Sequence, residues 1–180
     1  MRAARGSIST SAGTDRIVPT ALARHWSGIQ RLRVFRDLRG TAWHQIRDRF
    51  NASGIVATSD GRFLLVVNAA SGELVRVRLG DKTVTRVDLH GADITGSQGM
   101  ALTDGDVLYA ARQTADSIAR IRLTDAFARG RLLSATHDPS FGSPNDVAIA
   151  GDRLLVTNTQ FDPGTPPFTV SSIPLPEPAR

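Results

Sequence analysis

The sequence predicts an all-β chain built from a repeated sheet, and three observations predict it. Gly72-Glu-Leu-Val-Arg-Val-Arg-Leu79 returns forty-four residues later as Ser117-Ile-Ala-Arg-Ile-Arg-Leu123, with its apolar and basic positions alternating in the same phase. The same offset places Asp60-Gly61 on Asp104-Gly105 and Leu64-Leu65 on Leu108-Tyr109. Around these landmarks the chain keeps reading strand, turn, strand, with Asp-Gly between apolar runs as the hairpin signal. One such coincidence arises readily by chance; three in register make an internal repeat.

The strands follow in three passes. The first has Ile55–Thr58, a turn at Ser59-Asp60-Gly61, Phe63–Asn68, a turn at Ala70-Ser71-Gly72, then Glu73–Leu79 and Val84–Leu89. The second has Met100–Thr103, a turn at Asp104-Gly105-Asp106, Val107–Ala111, Ser117–Leu123 and Leu132–Ala135. The third has Val147–Ala150, a turn at Gly151-Asp152, Arg153–Thr157 and, after a Pro- and Gly-rich loop, Phe168–Ile173. Four strands in about 45 residues is the size of one β-propeller blade. A sandwich of unrelated hairpins has no reason to repeat its strand faces at fixed spacing. The arginines at Arg76, Arg78, Arg120 and Arg122 read as solvent faces of the third strands, their stems lying over apolar neighbours.

Charge divides the chain at the same place as texture. Residues 1–50 hold ten arginines against Asp15, Asp37 and Asp48, a net of +7, whereas residues 51–180 carry a net of −2. The repeat region therefore has no case for nucleic acid; any anionic partner belongs to the first fifty residues. Residues 1–20 are small, polar and basic and read as disordered. From Ala21 to Phe50 the apolar residues Leu22, Trp26, Ile29, Leu32, Leu38, Ala42, Ile46 and Phe50 fall near helical spacing, among arginines. Gly28 and Gly40 weaken that helix by about 1 kcal/mol each. The expected organisation is a disordered or weakly helical basic leader over 1–50, blades over 51–95, 96–142 and 143–173, and a frayed tail over 174–180.

The 180 residues contain no cysteine, which removes disulfides and thiolate metal sites. His25, His44, His90 and His137 show no paired or HExxH spacing. No run of about 18 apolar residues is present to span a membrane as a helix. No signal peptide is visible, so the cytoplasm is the default location. There is no Gly-x-Ser-x-Gly elbow and no Gly-rich phosphate loop.

At Gln98-Gly-Met-Ala-Leu-Thr-Asp-Gly-Asp-Val-Leu-Tyr-Ala-Ala111 the sequence resembles the SMP-30/gluconolactonase/luciferin-regenerating-enzyme family of six-bladed propellers. Asn51-Ala-Ser-Gly-Ile55 is similar to that family's Asn-Gly-Ile blade opening, and Val147-Ala-Ile-Ala-Gly-Asp-Arg-Leu-Leu-Val-Thr157 to the blade that follows. The resemblance covers residues 51–173, about three blades, and would be the C-terminal half of a family propeller. It implies a Ca²⁺-type divalent cation on the axis, polarising the carbonyl of a lactone or ester for attack by water. It also implies three ligands: a Glu in blades not seen here, an Asn before Gly-Ile, and an Asp before Gly-Met. Ser53 stands at the Asn position, with Asn51 two residues upstream, and Gln98 stands at the Asp position. Neither carries charge, and an amide cannot act as the general base.

Asn145-Asp146 opens the third innermost strand at the equivalent rim. After Pro144 the pair reads first as turn chemistry and second as a substitute polar pair. The candidate binding residues are therefore Asn51, Ser53, Gln98, Asn145 and Asp146, with no metal ligands and no resident cofactor assigned. The expected function is that of a truncated, inactive descendant of a metal-dependent lactone or ester hydrolase. The alternative is a non-catalytic propeller scaffold, of the NHL type, taking a small polar ligand or a protein at the same mouth. Three blades cannot close a ring, so the arc is expected to expose apolar faces and open edges. It reads as a gene fragment; self-association of two copies through those edges is the other outcome.

Overall fold

The computed structural model describes residues 34–159 and 168–175, together with the backbone of 16–17. A short antiparallel ladder joins β1 (Arg16–Ile17) to β2 (Arg36–Asp37). Sheet 1 is β3 (Ala52–Ala57), β4 (Phe63–Asn68), β5 (Leu74–Arg78) and β6 (Val84–Arg86). Sheet 2 is β7 (Ser97–Leu102), β8 (Val107–Arg112), β9 (Ser117–Thr124) and β10 (Arg129–Thr136), with a 3-10 turn at Gln113–Ala115. Sheet 3 is β11 (Pro144–Ala150), β12 (Arg153–Asn158) and β13 (Thr169–Pro174). Each sheet is an antiparallel meander in chain order, and no α-helix occurs among the described residues.

The repeat survives at the level of hydrogen-bond register. Leu65 is paired between Val56 and Arg76, and its twin Tyr109 between Ala101 and Arg120. The first hairpin turn is also built twice from the same parts. Thr58 Oγ1 accepts the N–H of Phe63, and Thr103 Oγ1 accepts that of Val107, each at 3.0 Å. Gly61, at φ +65°, supplies the left-handed residue of the first turn, and Asp106, at φ +58°, that of the second.

The sheets stack face to face with apolar side chains between them. Phe63, Leu65, Val67, Leu74, Leu108, Ala119, Ile121 and Phe127 fill the space between sheets 1 and 2. Val107, Tyr109, Ile118, Val147, Leu154 and Val156 fill that between sheets 2 and 3. Burying each such Val, Leu or Ile contributes about 1.5–3 kcal/mol.

This stacking corrects two expectations. The arginine faces of β5 and β9 are not free solvent faces, because the following sheet lies against each of them. Arg120 is only 8% exposed. Arg76 spans the gap between sheets: Nε donates to Thr85 Oγ1 (2.8 Å) and Nη1 to the Ala126 carbonyl (2.5 Å). Its guanidinium also lies 5.2 Å from the centre of the Phe63 ring. Arg78 and Arg122 keep more solvent, the latter donating to the Gly105 carbonyl.

The second correction concerns residues 34–50. They form no helix; after β2 they turn at 39–42 and run irregularly along sheet 1. Leu38 (0% exposed) and Trp43 (7%), with Phe35, pack on Val66, Val75, Val77 and Val84. The first flank of the arc is therefore covered by the segment read from sequence as leader. The remainder of the expected helix, over 21–33, lies outside the described residues, as does the expected disorder of 1–20 except at Arg16–Ile17, which form β1 instead. The expected frayed tail starts too early: Pro174 ends β13, paired with Arg153, and the Leu175 N–H donates to the Asp152 carbonyl (2.7 Å), while 176–180 lie outside the described residues.

Candidate functional site

The innermost strands β3, β7 and β11 start at one end of the arc, and each starts with a bulge. The register breaks between Ala52 and Ile55, between Ser97 and Met100, and between Pro144 and Asp146. Ser53, Gln98 and Asn145 sit inside these bulges. A bulge bends the strand and re-aims a side chain that regular pleating would have sent elsewhere. Glycine allows the inner strands to close up there. A methyl at Gly54 would overlap the Gln98 carbonyl oxygen, and one at Gly99 would stand 2.5 Å from the Asp146 Cα. Asp146 holds the third equivalent position.

Close approach brings two of the sequence candidates together. Ser53 Oγ donates to Gln98 Oε1 across the junction of sheets 1 and 2. Gln98 Nε2 lies 3.5 Å from Gln113 Oε1, and Gln113 Nε2 donates to Thr159 Oγ1 at 3.3 Å. Thr159 Oγ1 completes the series by donating to the Ser143 carbonyl (3.0 Å). One uncharged ladder of hydroxyls and amides thus crosses all three sheets. Its members are half-buried, so solvent reaches them.

Sequence reasoning missed Gln113 and Thr159. Both follow the second strand of their sheet, and both turn their backbone N–H to the opening of an inner strand. Ala69, Gln113 and Thr159 donate to the carbonyls of Asn51, Gly96 and Ser143 at 2.8, 3.0 and 3.2 Å. The repeat offset alone could have found these positions, because Gln113 follows Ala69 by the same forty-four residues as the strand twins.

The other candidates behave differently. Asn51 is 5% exposed and turned away from the ladder. Its Oδ1 accepts the N–H of Ile46 (2.7 Å), and its Nδ2 donates to the carbonyls of Ile46 (2.8 Å) and Arg49 (2.7 Å). It pins the 46–49 loop. Asn145 is half-buried in its bulge. Asp146 is exposed, with Oδ1 accepting the N–H of Val147 (2.9 Å) and its own N–H donated to Thr157 Oγ1 (3.1 Å).

The nearby rim carries two more carboxylates. Asp93 Oδ1 accepts the N–H of Thr95 (2.8 Å) and Oδ2 that of Arg112 Nη2 (2.8 Å). The hydrogen bonds from Thr95, with help from Arg112, hold its carboxyl below the usual range. Asp116 Oδ1 accepts the N–H of Ser143. These acids are committed to loops. Among the described residues no three His, Cys, Asp or Glu side chains cluster as a metal site.

The donor set does not fit a Ca²⁺-type ion, which takes six to eight oxygens and gains affinity from carboxylates. Ser53 and Gln98 are neutral, and the side-chain oxygens they could offer a cation are hydrogen-bonded to each other. Asp146, the one carboxylate on the inner strands' openings, takes its own neighbour's N–H.

Comparison with known proteins places the fold. No family model and no curated relative matches the chain. Among solved structures, the chain is similar to one in a nidogen/laminin complex at 14% identity and a TM-score of 0.60. That match covers 87% of this chain and 53% of the other. A putative 6-phosphogluconolactonase from Bacteroides fragilis matches at 18% identity and a TM-score of 0.51, over 73% of this chain and 41% of its own. The Malassezia sympodialis allergen Mala s 1 matches at 17% and 0.51, over 67% and 39%. The chain thus spans about half, or less, of the structures it matches. At these identities the likeness is one of fold, and the fold is three blades of a β-propeller.

No helix among the described residues is long and apolar enough to cross a membrane, which leaves β-barrel spans unaddressed.

Proposed function

We propose that this chain is a non-catalytic binding module, descended from a lactonase-like propeller, whose ladder takes a small neutral polar ligand. The supporting observation is the uncharged series Ser53, Gln98, Gln113 and Thr159 at the openings where a hydrolytic cation would require carboxylates. Hydroxyl and amide groups can both donate and accept, so they suit hydroxyls, amides or a lactone carbonyl better than an ion. No residue there is placed to take a proton from water, since an amide has no usable basicity and Asp146 is held by the Val147 N–H.

The test pairs calorimetry with a hydrolysis assay. Titration of Ca²⁺ is expected to give no site tighter than millimolar, and glucono-lactone is expected to hydrolyse at the buffer rate. Cation-dependent turnover would restore the hydrolase reading and remove this one. Glucono-lactone should bind weakly without reaction, and Gln98→Ala should weaken that binding by roughly five- to thirtyfold, the loss of one or two hydrogen bonds of about 1 kcal/mol each. Equal binding by both proteins would mean that the ladder is not the site.

A further inference from the structure

The dipeptide Asp-Gly stands in both first hairpin turns of the repeat, but not at the same place in them. Thr58 opens one turn and Thr103 the other. Asp60-Gly61 fills the third and fourth residues of the first, whereas Asp104-Gly105 fills the second and third of its twin. The first turn is closed by the Gly61 N–H, donated to the Thr58 carbonyl at 2.9 Å. The second is closed one residue after its glycine, by the Asp106 N–H on the Thr103 carbonyl at 3.2 Å. Gly105 therefore keeps its own N–H without a partner among the described residues.

The two carboxylates differ in the same sense. Asp60 Oδ1 accepts the Thr58 hydroxyl (2.6 Å) and the Arg62 N–H (3.0 Å), and Oδ2 accepts Arg62 Nε (2.8 Å). Thr58 first, and Arg62 with it, hold this carboxyl below the usual range and so ionised. Asp104 makes no hydrogen bond or ion pair among the described residues. Both Asp104 and Gly105 are exposed. A methyl at Gly105 would meet only Thr103 Oγ1, at 3.8 Å, so a ring closing on this backbone finds open space.

We propose that Asp104 is a site of spontaneous backbone modification, from which Asp60 in the twin turn is protected. The Gly105 nitrogen bonds to Asp104 Cγ, and its amide proton leaves with the carboxyl hydroxyl as water, closing a succinimide. Water then adds to the former main-chain carbonyl and breaks its bond to nitrogen. The chain is left joined through the side chain, an isoaspartyl linkage with a free α-carboxylate. Water is the only co-reactant. The linkage puts an extra carbon in the main chain between residues 104 and 105. Three bonds depend on the spacing there: Asp106 N–H to Thr103, Arg122 Nη1 to the Gly105 carbonyl (2.7 Å), and Leu123 N–H to the Asp106 carbonyl (2.9 Å). The modification is independent of the ligand site, because the turn lies at the ends of β7 and β8 away from the ladder.

The test is to incubate the full folded chain in warm, mildly acidic buffer, digest it, and read each Asp-Gly by electron-transfer fragmentation, which separates isoaspartyl from aspartyl chains of equal mass. Isoaspartate is expected at residue 104 at least about tenfold faster than at 60, since Asp60 must first break a hydrogen bond to its charged group. In denaturant the two rates should converge. Asp104→Glu, whose ring would need six members, should stay unmodified and keep the melting temperature that the parent protein loses on ageing. Equal accumulation at both sites in the folded protein overturns the proposal, as does accumulation at neither. A difference that persists in denaturant overturns it too, by assigning the contrast to neighbouring sequence instead of the turns.

Discussion

Gly99 shows how little room the inner strands leave. Its missing side chain is what allows β7 to lie against β11, with the Asp146 Cα 2.5 Å from where a methyl would be. Gly99→Ala is expected to destabilise the protein by about 1–3 kcal/mol through overpacking, read as a lower denaturation midpoint at unchanged slope. Gly105, in the open turn of the same sheet, meets nothing nearer than 3.8 Å. Gly105→Ala should therefore cost far less. Thr58 offers a second residue-scale test. Its hydroxyl donates to Asp60 Oδ1 (2.6 Å) and is the first cause of that carboxyl's lowered pKa, with the Arg62 N–H contributing further. A depressed carboxyl stabilises the fold above its unfolded pKa of about 3.9 and loses that contribution as pH falls through the folded value. Thr58→Val should thus cost stability at neutral pH and shrink the difference from the parent below about pH 4. A gap that stays constant with pH would assign the loss to the Phe63 N–H alone.

At the scale of elements, strands were easier to read than their surroundings. β4 is bounded as its apolar run reads, and β5, β8, β9 and β12 differ from the sequence reading only at their ends. β10 reads from sequence as Leu132–Ala135 yet extends over Arg129–Thr136. Its outer-edge residues are mostly exposed and polar, so periodicity gives no signal for them. The bulges at the inner-strand openings are likewise invisible in composition, which is why the sequence groups Asn51 with Ser53. Two residues of chain and one bulge turn Asn51 to the 46–49 loop and Ser53 to Gln98. The twin arginines separate for a similar reason: neighbouring sheets decide which is buried. Arg76 bridges to the loop at 125–127, whose three residues all have positive φ, while Arg78 meets the exposed Asp81 at 3.5 Å. Arg76→Ala should lower stability by about 1 kcal/mol, the loss of a part-buried hydrogen bond to Thr85 and an exposed one to Ala126. Arg78→Ala should change it by less than about 0.5 kcal/mol, as a surface pair does. Equal effects would mean that the bridge to Ala126 contributes nothing.

For the whole molecule, the decisive segment is the one the sequence describes worst. Leu38, Ala42, Ile46 and Phe50 recur every four residues and so imitate a helix. Their environments do not follow that period: Leu38 is fully buried and Phe50 is 76% exposed. The chain between them is shaped by the turn after Asp37 and the clamp of Asn51, both local hydrogen-bond devices that hydropathy does not register. Leu38 and Trp43 supply to the first flank what Leu89 and Ile94 supply between sheets 1 and 2. If that equivalence is physical, the segment must carry a core residue's share of stability. Leu38→Ala should cost about 2–5 kcal/mol and Trp43→Ala about 3–5, with Phe50→Ser near zero. Amide exchange gives the same test without mutation. The N–H of Ile46, held by Asn51, should exchange on the timescale of sheet 1. Exchange there as fast as in an unstructured peptide, with Leu38→Ala neutral, would return residues 34–50 to the status of an appendage and remove the flank they are argued to build.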